Sequence, residues 1–166
     1  MFVEGNMTPA EKFWRAKQEL PRGHIGILES QEELKQEYQL CHQQEWEFFK
    51  KWKQERWINT LQVAADCAGN LCRSVGTRTI KEVRLREPDR MWSHGYYKDR
   101  TIYLNIPCPL TLVVHETAHH IVILEKMESF RHPHGEGFCE VEQMLFNYLL
   151  EWQNSPACRF AILSAI

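Results

Sequence analysis

The sequence has no C-x-x-C pair, although it has six cysteines, at positions 41, 67, 72, 108, 139 and 158. Zinc ribbons and redox dithiols use that close spacing, so neither is expected. No apolar run approaches the length of a membrane span, and Met1-Phe-Val-Glu4 lacks the basic start and long apolar region of a secretory signal. An intracellular, cytoplasmic protein with no membrane partner is expected, its cysteines free and mostly buried in a reducing compartment. Internal repeats, low-complexity segments and a basic tail are also missing. A formal charge of −2 excludes a strongly polybasic chain.

The 166 residues, 43% hydrophobic and 25% charged, suit a single domain (1–166) with a sizeable core. Its most informative stretch is Thr111-Leu-Val-Val-His115-Glu116-Thr-Ala-His119-His120-Ile-Val-Ile-Leu124. In a helix, His115 and His119 lie one turn apart on one face, where two imidazoles bind one zinc ion. Glu116 is beside the first, placed to take a proton from an attacking water. Leu112, Val113, Val114, Ala118, Ile121, Val122 and Leu124 predict that the helix is buried. The competing interpretation is a core helix with two satisfied histidines.

Upstream, Thr8-Pro9-Ala10-Glu11 opens a helix that should stop at Pro21, and Ser30-Gln-Glu-Glu33 opens a longer one. The second carries Leu34, Tyr38, Cys41, Phe48 and Trp52 on one face, an apolar stripe interrupted at Glu45. A break is expected around Trp57–Thr60. A clean stripe from Leu61 to Val75 then ends at Gly76. Strands are predicted over Thr79–Arg86, Met91–Tyr97 and Thr101–Ile106, the last two joined by the turn Lys98-Asp99-Arg100. Pro107-Cys-Pro109 ends the third strand and leads into the metal helix. A loop over 125–133, a helix carrying Phe138, Val141, Leu145, Tyr148, Leu149 and Trp152, and an apolar tail (157–166) complete the chain. This predicts an α+β fold: a helical part (1–76) covering a small sheet of about three strands (77–107), then the metal-site helices (108–166).

Catalytic zinc takes three protein ligands and leaves one position open. Downstream candidates for the third are His132, His134, Glu140 and Glu142. Gly135 beside His134 lets the backbone pass close to the metal helix, and Phe138 would anchor that turn. His120, about 100° round the helix from His119, should miss the metal, and His24 and His42 have no partners in sequence.

His115-Glu-Thr-Ala-His119, followed by His134-Gly-Glu-Gly-Phe138, resembles the H-E-x-x-H…H-G-x-x-F signature of SprT-like (Spartan-type) zinc metalloproteases. Small metallohydrolases of actinobacteria and their phages share that signature. Trp92…Gly95…Ile102-Tyr-Leu-Asn105 is similar to the strand pair those families place before the metal helix. The resemblance implies a zincin-like fold, His134 as the third zinc ligand, and Thr101–Ile106 as the sheet edge that takes a peptide as an added strand. His94, Tyr96, Tyr97 and Tyr103 are candidate oxyanion or substrate contacts, equally readable as ordinary sheet surface.

The expected function is zinc-dependent hydrolysis of a peptide bond in a peptide or protein substrate, with Glu116 as general base. The alternatives are an amidohydrolase acting on a non-protein amide and a DNA-associated protease of Spartan type. For the last, Arg73, Arg78, Lys81, Arg84, Arg86, Arg90, Lys98 and Arg100 outnumber the local acids and are a candidate nucleic-acid face.

Overall fold

The computed structural model describes residues 31–54, 56–86, 95–125 and 133–153, with side chains from residue 35 onward. The expected helix over residues 8–20, the start of the second strand and the apolar tail lie outside the described residues. So do His24, His94 and His132.

Four helices and five short strands make up the described chain, in an α+β arrangement. Helix α1 spans Gln31–Lys51, and strand β1 (Trp57–Ile58) occupies the expected break. Helix α2 (Leu61–Ser74) is fixed at both ends by its sequence. Thr60 caps it by accepting from the Val63 N–H at 3.1 Å. At the other end Gly76 takes φ +70°, so that Thr77 N–H reaches the Cys72 carbonyl and Gly76 N–H the Arg73 carbonyl. That is a Schellman close, which a side chain at Gly76 would strain.

Three strands form one sheet: β2 (Glu82–Leu85), β3 (Gly95–Lys98) and β4 (Thr101–Leu104), in the order β2-β4-β3. β3 and β4 form a hairpin whose Lys98↔Thr101 pairing leaves a two-residue loop, Asp99 and Arg100, both at positive φ. Arg100 is held there by its N–H on Tyr97 Oη, its guanidinium on the Thr79 carbonyl and its carbonyl on Lys81 N–H. β2 runs parallel to β4 on the other side. The expectation that Thr101–Ile106 offers a free edge is therefore wrong. β4 is the central strand, with both edges already hydrogen-bonded. The Pro107-Cys-Pro109 segment also differs from expectation: Cys108–Pro109 form β5, which pairs antiparallel with β1 in a second, two-stranded sheet.

Helix α3 (Leu110–Leu124) follows at once and is buried almost all round, with α4 (Glu136–Gln153), α2 and the three-stranded sheet packed against it. α1 packs mainly on α4 and also touches α3. One apolar cluster joins these layers, from Phe48 and Trp52 of α1 through Val113, Val114 and Ala118 of α3 to Leu145 and Phe146 of α4. The five described cysteines are free, and four of them are buried. Among the described residues, no helix is long and apolar enough to cross a membrane.

Candidate metal centre

On α3, His115 and His119 point the same way, toward α1 and α4, and His134 reaches them from the turn before α4. The ring centroids of the three imidazoles are 4.9, 5.0 and 5.0 Å apart, a nearly equilateral triangle. Phe138 packs against all three, at 4.9 Å from His115, 4.5 Å from His119 and 5.0 Å from His134. One buried aromatic ring, four residues past His134, thus orients the whole set. His115 is buried, whereas His119 and His134 are partly exposed, so the cluster is closed on one side and open on the other. A catalytic metal site has that shape, since one position must admit water or substrate.

The other nitrogen of His115 faces two carboxyl groups. Nδ1 lies 2.5 Å from Glu45 Oε1 and 3.2 Å from Glu142 Oε2, and both glutamates are fully buried. Burial first, and then the charge of Glu45, push the Glu142 carboxyl well above the usual carboxylate range. Two adjacent buried carboxylates cannot both ionise, so Glu142 is the neutral acid and Glu45 the anion. A carboxylate only accepts, which makes His115 Nδ1–H the donor and leaves Nε2 with its lone pair.

Two groups of side chains could therefore hold a cation: His115/His119/His134, or Glu45/His115/Glu142. Distance decides between them. Donor atoms sharing a tetrahedral ion at ~2.0–2.1 Å sit about 3.3 Å apart. The 2.5 Å Glu45 contact is too short for that and suits a proton. His115 Nε2 and His134 Nε2 are 3.2 Å apart, the separation expected of two ligands on one ion. The residues present fit a zinc-type ion at the three imidazoles, with Glu45 fixing the tautomer of His115.

The other candidates fall elsewhere. Glu116 follows His115 on the helix and is buried. Glu140, a competing third ligand from sequence, is exposed on α4. Glu142, the other competitor, lies behind His115 on its Nδ1 side. His120 is fully buried and turned to the sheet, where Tyr97 Oη is 2.9 Å from Nδ1 and the Arg78 carbonyl is 2.6 Å from Nε2. Tyr97, a candidate oxyanion contact, is thereby tied to His120. Tyr96 and Tyr103 stack on each other at 4.5 Å, paired across the strands on the sheet face opposite Tyr97 and Ile102. Strand alternation puts them on the face away from α3, because Gly95, in register with Leu104, abuts Leu112 of α3. None of these three tyrosines joins the histidine cluster. Among the basic residues, Arg86 is buried, Arg84 pairs with Glu82 and Arg100 is spent on the Thr79 carbonyl.

Sequence reasoning missed the contribution of α1. Besides Glu45, its Tyr38 meets His134 edge-on at 5.7 Å. The signal was the charged residue in the apolar stripe: Cys41, Phe48 and Trp52 are all buried, and Glu45 is buried in line with them. A carboxylate in such a position needs a partner, and here the partner is the His115 ring.

Comparison with known proteins gives no relative: no family model matches the chain, and no curated protein or solved structure does so.

Proposed function

We propose that the protein is a zinc-dependent peptidase. The observation that carries this reading is the triangle of His115, His119 and His134, open on one side, on a helix that also bears Glu116. The resemblance of His115–His119 and His134–Phe138 to the SprT-like signature supports the same conclusion.

Zinc held by the three imidazoles would supply Lewis-acid chemistry, polarising a carbonyl and making water more acidic. The protein supplies the remainder. Glu45 holds His115 in the tautomer that offers Nε2, and Phe138 keeps the three rings in register. Glu116 takes the proton from the attacking water and returns it to the leaving amine. A purely structural site would have no use for a carboxylate beside the first ligand, which favours hydrolysis over metal storage.

The test compares wild type with Glu116→Gln for zinc content and for cleavage of casein, a DNA-crosslinked protein and a muropeptide. Both proteins are expected to hold about one equivalent of zinc. Cleavage of the protein substrates should fall by at least about 100-fold in the variant. Equal cleavage by the two proteins would remove Glu116 from the chemistry. Turnover of the muropeptide alone would replace the peptidase by an amidohydrolase.

A further inference from the structure

We infer that the groove between α1 and α4 binds an extended substrate segment carrying lysine or arginine beside apolar side chains, on one side of the bond presented at His134. This rests on the peptidase reading and adds a substrate class to it.

The groove has a cavity volume of about 1050 Å³ and includes His134 and Gly135 at one end. From there it follows α4 as far as Glu151, with Glu37, Leu40 and Gln44 of α1 and Ser74 and Val75 at the end of α2 as its other walls. Residues 136–151 advance ~22 Å along a helix at ~1.5 Å per residue, which accommodates about six or seven extended residues at ~3.3 Å each. The run along α4 begins at His134, so this stretch reads one side of the scissile bond.

Its chemistry is mixed. Of the five exposed large hydrophobic residues among those described, three line this groove: Leu40, Met144 and Tyr148, at 53%, 45% and 36% exposure. Apolar side chains gathered in a groove, rather than scattered singly, mark a docking surface. Glu37, Glu136, Glu140 and Glu151 line the same groove, and no lysine or arginine is among the described lining residues. Glu136, Glu140 and Glu151 form no ion pair among the described residues, so their charge remains available to a ligand. The lining thus carries four carboxylates in a chain whose total charge is only −2. An acidic segment would be repelled along the whole track, while a basic one is attracted and still covers the apolar patches.

The experiment uses the full chain as zinc-loaded Glu116→Gln, which binds without cutting, and three fluorescent octapeptides. They share alternate leucine and tyrosine residues and differ only in having lysine, glutamine or glutamate between them. The lysine peptide is expected to bind at least about tenfold more tightly than the glutamate peptide, with the gap shrinking at high salt. Adding Glu140→Lys and Glu151→Lys should abolish or invert the preference. Equal binding of the three peptides would overturn the inference. So would failure of all three to bind, which would leave the groove to the chain's own residues or to a second copy. Wild-type cleavage of the same peptides is read in parallel. Charge-selective binding without cleavage keeps the groove assignment and removes the peptidase reading. Cleavage with no charge preference does the reverse.

Discussion

Helix α3 has two sides, and each holds a buried histidine with partners on its ring. On the side facing α1 and α4, His115 gives Nδ1–H to the Glu45 carboxylate and keeps a lone pair on Nε2, 3.2 Å from that of His134. On the side facing the sheet, His120 has both nitrogens occupied: Nε2–H donates to the Arg78 carbonyl and Nδ1 accepts from Tyr97 Oη. The residue type is the same, the helix is the same and the burial is similar. The groups around each ring decide which imidazole can still bind a metal. A carboxylate on one nitrogen makes the other more basic, whereas a carbonyl and a hydroxyl together leave nothing to offer.

Removing a ring from either side of the helix should have the most severe consequences. His115→Ala should lose essentially all zinc, from about one equivalent in the wild type, because two imidazoles remain where three converged. His120→Ala should keep its zinc and lose stability instead, by about 1–3 kcal/mol, since a buried hydroxyl and a buried carbonyl lose their partner. Metal analysis after dialysis and chemical denaturation of both variants would separate the two roles. Zinc lost from His120→Ala at full folding would show that the two sides are not distinct.

The next step leaves the rings intact and alters the group behind His115. Glu45→Gln keeps an acceptor for Nδ1–H but removes the charge, and zinc affinity should fall by roughly 10–100-fold. Glu142→Gln replaces an already neutral acid by a neutral amide, so the change should stay below about threefold. Competition against a fluorescent chelator measures both. If the two variants weaken zinc equally, the anion has been assigned to the wrong carboxyl.

Legibility in the sequence followed the same division. His115, Glu116 and His119 fall within five consecutive residues of one helix, so local geometry alone sets their relation. His134 needed the Gly135 turn and the resemblance, because the chain between 125 and 133 carries no periodic signal. The described helices and the hairpin were readable from their stripes, caps and turn, while strand order was not. β4 and β2 are neighbours in the sheet and pair in parallel although β3 lies between them in sequence, which no local pattern encodes. The carboxylates behind His115 were also hidden, since Glu45 and Glu142 are brought together by packing of α1 on α4. The interruption of the α1 stripe at Glu45 was visible, but the partner was 70 residues away.

Smaller effects sharpen the sheet-facing side. Tyr97→Phe removes the hydroxyl that accepts from Arg100 N–H and donates to His120 Nδ1. It should lower stability by about 1 kcal/mol and leave zinc content unchanged. A loss of zinc in this variant would tie Tyr97 to the side of the helix that bears His115.

The smallest effect is a pH dependence belonging to His120 alone. Burial holds this imidazole below the usual histidine range, assisted by the Arg100 charge and opposed by the bond to the Arg78 carbonyl. Its folded pKa is therefore depressed relative to the unfolded chain. Below about pH 6.5 the unfolded chain takes a proton that the folded protein refuses. The contribution is complete above that pH and is lost as the pH falls through the folded value. Thermal midpoints of zinc-free protein at pH 7.5 and 5.5, compared between wild type and His120→Gln, isolate it from the other histidines, which titrate in both proteins. The drop on acidification should be smaller in the variant. An equal drop would mean that His120 accepts a proton inside the fold, and then the bond from Tyr97 Oη to Nδ1 could not be the one that closes this side of the helix.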